Sequence, residues 1–261
     1  MNISEAFSRC KALGTGALIP YLTAGYPDRD RSLELMRGLA GAGADIIELG
    51  IPFSDPLADG PTIQRASFQA LERGMTVRGA LELLRAFRAD SDTPVVLFSY
   101  LNPLIRYGLG RFLADAEEAG AQGLLLTDLP TGADPTLEGQ VIGSGLDLLR
   151  LLAPTTPLHR IGAVAEGGEG FLYYISRTGV TGARHELRKE LEREVEAIRR
   201  EVSLPIAVGF GISTPQQAAS VAGLADGVVV GSALINALDE GGVEGALAFL
   251  RGLRDAMDGA L

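Results

Sequence analysis

The distribution of apolar residues limits the folds open to this chain. Eight short apolar runs, rich in β-branched residues, recur along it, and uninterrupted runs of this kind are typical of strands buried on both faces. Between the runs, apolar residues recur at helical spacing, as at Leu191, Val195 and Ile198. Thr214 followed by Pro215 predicts the capped start of the helix after the seventh run. The eight predicted strands occupy residues 17–22, 45–49, 94–98, 122–127, 147–152, 170–175, 205–208 and 227–230.

This alternation of strands and helices predicts an α/β fold, the (β/α)8 or TIM barrel. Eight strand–helix units of ~25–30 residues fit a chain of 261 residues, and no change of composition marks a boundary. We therefore expect a single domain, residues 1–261, with an extra helix before the first strand. A doubly wound open sheet is the alternative, but Pro27 interrupts the glycine-rich turn that such folds carry after their first strand.

Residues 44–64 carry two acids in unequal surroundings. Glu48 lies near the end of the second apolar run, and Asp59 lies in the loop that follows, which is rich in Pro, Asp and Gly. Burial raises the pKa of a carboxyl group, whereas a carboxyl group on a polar loop stays ionised. Catalytic residues of (β/α)8 barrels lie on the loops after the strands, where both acids are expected. The pair therefore predicts general acid/base chemistry.

Other catalytic machinery lacks suitable residues in this sequence. The two lysines, Lys11 and Lys189, do not lie at the end of an apolar run. His159 and His185 lie in polar stretches without ligand partners, so we expect them at the surface. The single Cys10 allows no internal disulfide and is expected to be a buried residue of the first helix. No Schiff-base lysine, metal site or Cys/His or Ser/His nucleophile is predicted, which leaves carboxylates, hydroxyls and backbone groups.

Charge and hydropathy limit the partners and the location. A formal net charge of −10 argues against nucleic acid, because phosphate backbones require a basic surface. No apolar run approaches ~18 residues, so a membrane span is not expected. Residues 1–14 lack the apolar core of a secretory signal, which together with the single cysteine predicts a cytoplasmic protein.

Glycine-rich turns follow the seventh and eighth predicted strands. Gly211 lies in the first turn, and Gly231, followed by Ser232, lies in the second. Glycine before a helix lets backbone amides approach an anion closely. In (β/α)8 barrels these two loops form the usual phosphate site. The two turns together predict a phosphate site at Gly211, Gly231 and Ser232.

The loop after the sixth strand, residues 176–185, has two interpretations. It is rich in Gly and Thr, with basic residues near both ends. An exposed connection and a lid that closes over the ligand fit this composition equally well. As a lid, the loop would offer the Gly182 amide to a phosphate and the Thr181 hydroxyl to Asp59.

Aromatic and aliphatic residues recur near the predicted carboxyl ends of the strands. Any one of them is explained by packing at the barrel mouth, but as a group they predict a largely apolar pocket for a flat aromatic substrate. Asp128, after the fourth strand, fits a bracing role as well as a catalytic one. The predicted pocket residues are Tyr21, Phe98, Tyr100, Leu125, Leu152, Tyr173 and Phe210.

Four motifs resemble those of a known enzyme family. The longest is ELGIPFSDPLADGPTIQ at residues 48–64, which is specific in length and composition. SRTGVTGA at 176–183 resembles a mobile sixth loop, and GFGIS at 209–213 and GSA at 231–233 resemble a phosphate clamp. The motifs are similar to those of the alpha subunits of tryptophan synthase, and the similarity covers essentially the whole chain.

The resemblance implies a reaction and its residues. The reaction is the cleavage of indole-3-glycerol phosphate to indole and glyceraldehyde 3-phosphate. Glu48 matches the family's general acid/base, and Asp59 matches the acid that binds the indole N–H and stabilises charge on the ring. Tyr173 matches a tyrosine near the reacting carbons. The implied phosphate contacts, mainly through backbone, are Gly182, Gly211, Gly231 and Ser232.

The resemblance also implies a partner. In the family, a beta subunit carries pyridoxal phosphate and consumes the indole in an α2β2 heterotetramer, so no cofactor is expected in this chain. The implied contact surface comprises residues 52–61 and the turn around Asn102. Tyr21 and Tyr26 stand where other members often have Phe and Asp, which leaves the assignment of the pocket lining provisional.

The residue inventory agrees with this chemistry. Carbon–carbon cleavage needs an electron sink, and protonation of indole C3 lets the ring itself become one. Glu48 must then be protonated at neutral pH, while Asp59 stays ionised. Three alternatives remain from the residues alone: a free-standing lyase that releases indole, a non-catalytic phosphate-binding barrel, and another phosphosugar lyase or isomerase on this fold.

Overall fold

Eight parallel strands close into a barrel in the order β1 to β8, so that β1 pairs with both β2 and β8. The computed structural model describes residues 1–176, 184–209 and 211–259, with the side chains of 184–187 outside the description. The strands are β1 Ala17–Thr23, β2 Ile47–Gly50, β3 Val95–Ser99, β4 Gly123–Leu126, β5 Asp147–Leu152, β6 Leu172–Ile175, β7 Ile206–Gly209 and β8 Gly227–Val230.

Helices surround the barrel, as the sequence periodicity predicts. A short 3-10 turn, Leu158–Arg160, precedes α8, and Gly242 has non-helical backbone angles inside α11. The helices are α1 Ile3–Ala12, α2 Arg29–Gly41, α3 Pro61–Glu72, α4 Val77–Arg88, α5 Leu101–Tyr107, α6 Leu109–Glu118, α7 Pro135–Ile142, α8 Ile161–Ala165, α9 Arg184–Glu201, α10 Pro215–Ala222 and α11 Ser232–Asp258.

The predicted (β/α)8 barrel and its eight strands are confirmed, with ends that differ by at most two residues. The largest differences lie at the start of β2 and of β6. Asp45, predicted as the first residue of β2, lies before the strand, and its carboxylate accepts hydrogen bonds from the Leu18 amide and from Arg9 and Arg254. This carboxylate therefore joins the amino-terminal end of the barrel to the first and last helices.

The extra helix α1 closes the amino-terminal end of the barrel. Its apolar face, which includes Phe7 and Cys10, packs on the side chains that fill the barrel interior. The Phe7 and Phe171 rings lie 5.5 Å apart. Burial raises the pKa of the Cys10 thiol to about 12, and the expected burial of this residue is confirmed. With this end filled, the opposite end of the barrel is left for a ligand.

Side chains alternate along each strand between the barrel interior and the layer beneath the helices. Residues such as Ile19, Leu125 and Leu149 belong to the interior cluster, whereas Leu18 and Leu152 belong to the outer cluster that packs on the helices. Because both faces are apolar, the strands read as continuous hydrophobic runs in the sequence.

Several local expectations are also confirmed. Thr214 caps α10, with Pro215 as its first residue and Gln217 completing a capping box. His159 is exposed, while the side chain of His185 lies outside the described residues. No helix in the described part of the chain is long and apolar enough to cross a membrane.

Candidate active site

Glu48 lies inside the carboxyl end of the barrel. Strand β2 places it beside Tyr21 of β1 and Val96 of β3, and it is 1% exposed. Its Oε1 atom is buried without a hydrogen-bond partner among the described residues. Burial raises the pKa of this carboxyl group from 4.5 to about 8. Glu48 is therefore protonated at neutral pH, and it can donate that proton to a ligand.

Asp59 lies on the loop between β2 and α3, where it is partly buried. The Tyr100 hydroxyl donates a hydrogen bond to its carboxylate and accepts one of 2.8 Å from the Ala58 amide. Burial raises the pKa of Asp59 to about 6, although the bond from Tyr100 lowers it in part. Asp59 is thus less solvated than a polar loop implies, but it remains mainly ionised at pH 7.

The two acids line the same cavity, of about 380 Å³, at the carboxyl ends of the strands. Their pKa values of about 8 and about 6 leave a pH interval in which Glu48 is neutral and Asp59 is charged. A pair of carboxyl groups whose surroundings separate their pKa values is suited to one acid role and one charge-stabilising role.

Aromatic rings form one side of the cavity. Tyr21 and Phe98 meet edge to face, with their ring centroids 5.3 Å apart. The Tyr21 hydroxyl packs against Gly50, where a Cβ atom would lie only 2.1 Å from it. The Tyr173 hydroxyl packs against Gly209 in the same way, where a Cβ atom would lie 2.4 Å from it. These strand-end glycines make room for the two tyrosines, so the cavity keeps a flat apolar slot beside the acids.

The residues predicted to bind a phosphate lie in the same cavity. Gly211, Gly231 and Ser232 all line it. Gly211 has a φ of 74°, which glycine adopts without strain, and Ser232 is the first residue of α11. The first amides of a helix have no partners within it and favour an anion. One cavity therefore joins an acid pair, an aromatic slot and an anion site.

Three predicted pocket residues do not line this cavity. Leu125 points into the barrel but lies in the interior cluster, and Leu152 faces the outer layer. Leu151 lines the cavity instead, because a shift of one residue along a strand reverses the face. Tyr100 does not line the cavity, but its hydroxyl donates a hydrogen bond to Asp59, which does. The pocket lining at these three positions therefore stays a prediction that the cavity lining does not support.

Other predicted positions have different outcomes. Thr181, Gly182 and Phe210 lie outside the described residues, as do residues 177–183 of the loop predicted as a lid at 176–185. Asp128 is exposed and accepts a 2.7 Å hydrogen bond from the Leu101 amide at the start of α5, which favours its bracing role. No group of three or more His, Cys, Asp or Glu residues within the described ranges is arranged to hold a metal ion.

The sequence reasoning missed several lining residues. Thr127, Leu151 and Val229 lie on strands or just after them, and only the register of the folded barrel decides which face of a strand lines the cavity. Ile63 and Asn236 come from the first turns of α3 and α11. No local pattern marks these two residues, because they reach the cavity only when the barrel closes.

The barrel has eight strands, and the carboxyl ends of these strands carry two acids and an anion site. These features define the class of (β/α)8-barrel enzymes that act on phosphorylated substrates. The family model described as tryptophan synthase alpha chain matches residues 7–251. The chain belongs to this family. It is therefore a lyase of tryptophan biosynthesis that carries out the alpha reaction on indole-3-glycerol phosphate, which excludes a non-catalytic barrel.

Individual relatives agree with the family match. The chain is 50% identical over 240 residues to the tryptophan synthase alpha chain of Gluconacetobacter diazotrophicus, covering 92% of this chain and 88% of the relative. The tryptophan synthase alpha subunit of Legionella pneumophila superposes with a TM-score of 0.91 at 39% identity and 99% coverage of both chains. A chain of tryptophan synthase from M. tuberculosis, in an aminoacrylate-bound form, gives 0.89 at 35% identity and 98% coverage of both.

Proposed function

We propose that Glu48 is the general acid and base of the alpha reaction. Its neutral carboxyl group gives its proton to C3 of the indole ring, which turns the ring into an iminium-like electron sink. The Glu48 carboxylate then accepts the proton of the side-chain hydroxyl next to the ring. The bond between C3 and that carbinol carbon breaks, its electron pair returns to the ring, and indole and glyceraldehyde 3-phosphate are released with Glu48 again protonated.

The observation that carries this proposal is the state of Glu48 beside Asp59. Glu48 is buried, with a pKa of about 8 and an oxygen that has no partner in the described part of the chain, in the cavity that Asp59 also lines. Asp59, ionised above a pKa of about 6, would accept the indole N–H and balance the positive charge of the protonated ring. Tyr173, which lines the same cavity, would support the reacting carbons, with Thr181 as a further proposed support.

The phosphate of the substrate would bind at the glycine turns that line the cavity. Backbone amides at Gly211, Gly231 and Ser232, with Gly182 as a further proposed contact, would hold it together with the dipole of α11. Binding by amides agrees with the net charge of −10, because no basic surface is needed. The aromatic slot of Tyr21 and Phe98 would then receive the indole ring.

The partner and cofactor follow from the family and belong to this proposal. A beta subunit carrying pyridoxal phosphate would accept the indole, and this chain would need no cofactor of its own. In the implied contact surface, at residues 52–61 and around Asn102, Leu57 is 92% exposed. Phe68, outside that surface on the neighbouring helix α3, is exposed as well. Exposed apolar side chains of this size are consistent with burial against another chain.

The extent and location of the enzyme are also proposed. Residues 1–261 would form one catalytic domain, supported by the packing of α1 and of α11 on the same barrel. A cytoplasmic location is supported by the single cysteine, which is buried and unpaired.

The test is indole release from synthetic indole-3-glycerol phosphate. Glu48→Gln should lower kcat by ~10²–10⁴-fold, the usual contribution of general acid–base catalysis. Asp59→Asn should cost ~10²–10³-fold through lost charge stabilisation. Both variants should still bind glycerol 3-phosphate, because the anion site is separate. Near-normal turnover by Glu48→Gln would refute the assignment, and equal rates with and without a beta subunit would refute the partner.

A further inference from the structure

Three polar residues from distant parts of the chain meet beside the active site. The Tyr26 hydroxyl donates a hydrogen bond to Asp239 Oδ1, and Arg65 Nη1 donates one of 2.8 Å to the same hydroxyl. Arg65 Nη2 lies 2.5 Å from Asp239 Oδ2. Tyr26 is 5% exposed, so its hydroxyl is the buried centre of this contact. We call these three residues the helix brace.

One end of the helix brace controls the loop that carries Asp59. Arg65 lies on α3, and the neighbouring Gln64 donates hydrogen bonds from Nε2 to the carbonyl oxygens of Asp59, at 2.9 Å, and of Pro56, at 3.3 Å. The backbone of Asp59 is therefore hydrogen-bonded to α3, in addition to the bond of the Tyr100 hydroxyl to its carboxylate. A movement of α3 would move the Asp59 carboxylate.

The other end of the helix brace lies on the helix segment that begins at the anion site. Asp239 lies on the first part of α11, which begins at Ser232 after Gly231. Gly242, with a φ of 64° and a ψ of −163°, separates this part from the rest of α11. Because the helix is interrupted there, the later part of α11 does not by itself orient the segment that begins at the anion site.

Within the described residues, the brace is the shorter of the two polar links between these helices. One turn closer to the cavity, Thr62 Oγ1 lies 3.4 Å from Asn236 Oδ1, which is a long hydrogen bond. Burial and the bond to Asp239 raise the pKa of Tyr26, and the bond to Asp239 raises that of Arg65, in agreement with a tight contact. Partly exposed ion pairs add little stability, so the consequence of this contact is geometric.

We infer that Tyr26, Arg65 and Asp239 are positioning residues of the alpha reaction. They hold α3 and the first part of α11 at a constant spacing. Because of this spacing, the Asp59 carboxylate meets the indole ring when the anion site holds the phosphate. This inference rests on the proposed function. The brace touches neither substrate nor reacting atoms. Its loss should therefore leave phosphate binding intact and slow the chemical step.

Charge exchange tests the inference on the full chain. Arg65→Asp and Asp239→Arg should each lower kcat for indole release by ~10–100-fold, the usual cost of a displacement of about 1 Å. The dissociation constant of glycerol 3-phosphate should change less than ~2-fold, since only interactions of the transition state are lost. The double variant Arg65→Asp/Asp239→Arg restores opposite charges, and it should recover most of kcat. Tyr26→Phe, which removes only the shared hydroxyl, should lower kcat in the same direction.

Controls separate positioning from folding. Arg29→Asp breaks a 3.1 Å ion pair with Glu82 between α2 and α4, away from the cavity, and it should leave kcat unchanged. Thermal unfolding of each variant shows whether it folds, and Tyr26→Phe carries the test if a charge variant does not. Three results would overturn the brace. The first is an unchanged kcat in the single variants, and the second is a double variant no better than the worse single one. The third is an equal loss of kcat and of glycerol 3-phosphate affinity. Failure of the unsubstituted chain to release indole would instead refute the proposed function.

Discussion

Replacement of Glu48 by Gln should make the folded protein more stable as it makes the enzyme inactive. The side chain keeps its size, but it loses the ability to ionise inside the barrel. In the unfolded chain Glu48 ionises near its ordinary value of 4.5, whereas burial raises its pKa to about 8 in the folded protein. Folding between these values requires uptake of a proton, so the free energy of unfolding falls as the pH rises from 4.5 to 8.

The size of this effect follows from the difference between the two pKa values. Each unit corresponds to about 1.36 kcal/mol. The penalty that Glu48 imposes on folding is therefore about 1 kcal/mol at pH 5 and about 4 kcal/mol at pH 8, where half of the folded molecules carry the proton. Glutamine removes this penalty at every pH. The stability gained by Glu48→Gln should consequently be about 3 kcal/mol larger at pH 8 than at pH 5.

Urea unfolding of both proteins at the two pH values measures this quantity. Any constant difference between a carboxyl group and an amide in the cavity cancels when pH 5 is compared with pH 8. Glu72→Gln is the matched control, because this glutamate is exposed on α3 and is solvated whether or not the chain is folded. A stability difference that does not grow with pH would show that Glu48 is not buried as a neutral acid, and the proposed proton transfer would fail with it.

Three further predictions follow from the same site. The pH dependence of kcat/KM should be bell-shaped, because activity rises with ionisation of Asp59 near pH 6 and falls with ionisation of Glu48 near pH 8. At pH 5 and at pH 9, kcat/KM should be about a tenth of its maximum. Activity that still rises above pH 8 would reverse the acid assignment. Gly50→Ala should destabilise the protein by about 1–3 kcal/mol and weaken ring binding, because the new Cβ would lie 2.1 Å from the Tyr21 hydroxyl; urea unfolding and inhibition by indole analogues measure both effects. Asp128→Ala should cost about 1 kcal/mol of stability through its lost bond to the start of α5, while kcat stays within ~2-fold; a large loss of kcat would restore its catalytic interpretation.

The comparison of prediction and structure shows where local reasoning succeeds. The burial of Glu48 was predictable because its neighbours on β2 are apolar on both sides, and the cap at Thr214 was predictable because its partners lie within three residues. The residues that line the pocket were harder to predict from the sequence. Leu152 was chosen in place of Leu151 because a uniformly apolar strand carries no alternation from which to read its inner face.

The order of strands and helices, the amino-terminal helix, and the two acids, one on β2 and one on the loop after it, follow from the amino-acid sequence, because hydrophobic periodicity and capping act over a few neighbouring residues. Barrel closure alone brings the anion site after β8 beside the Asp59 loop after β2, with β1 between them. The partial burial of Asp59 and the meeting of Tyr26, Arg65 and Asp239 also depend on closure. Such contacts join segments up to 213 residues apart, so they leave no short-range pattern in the chain.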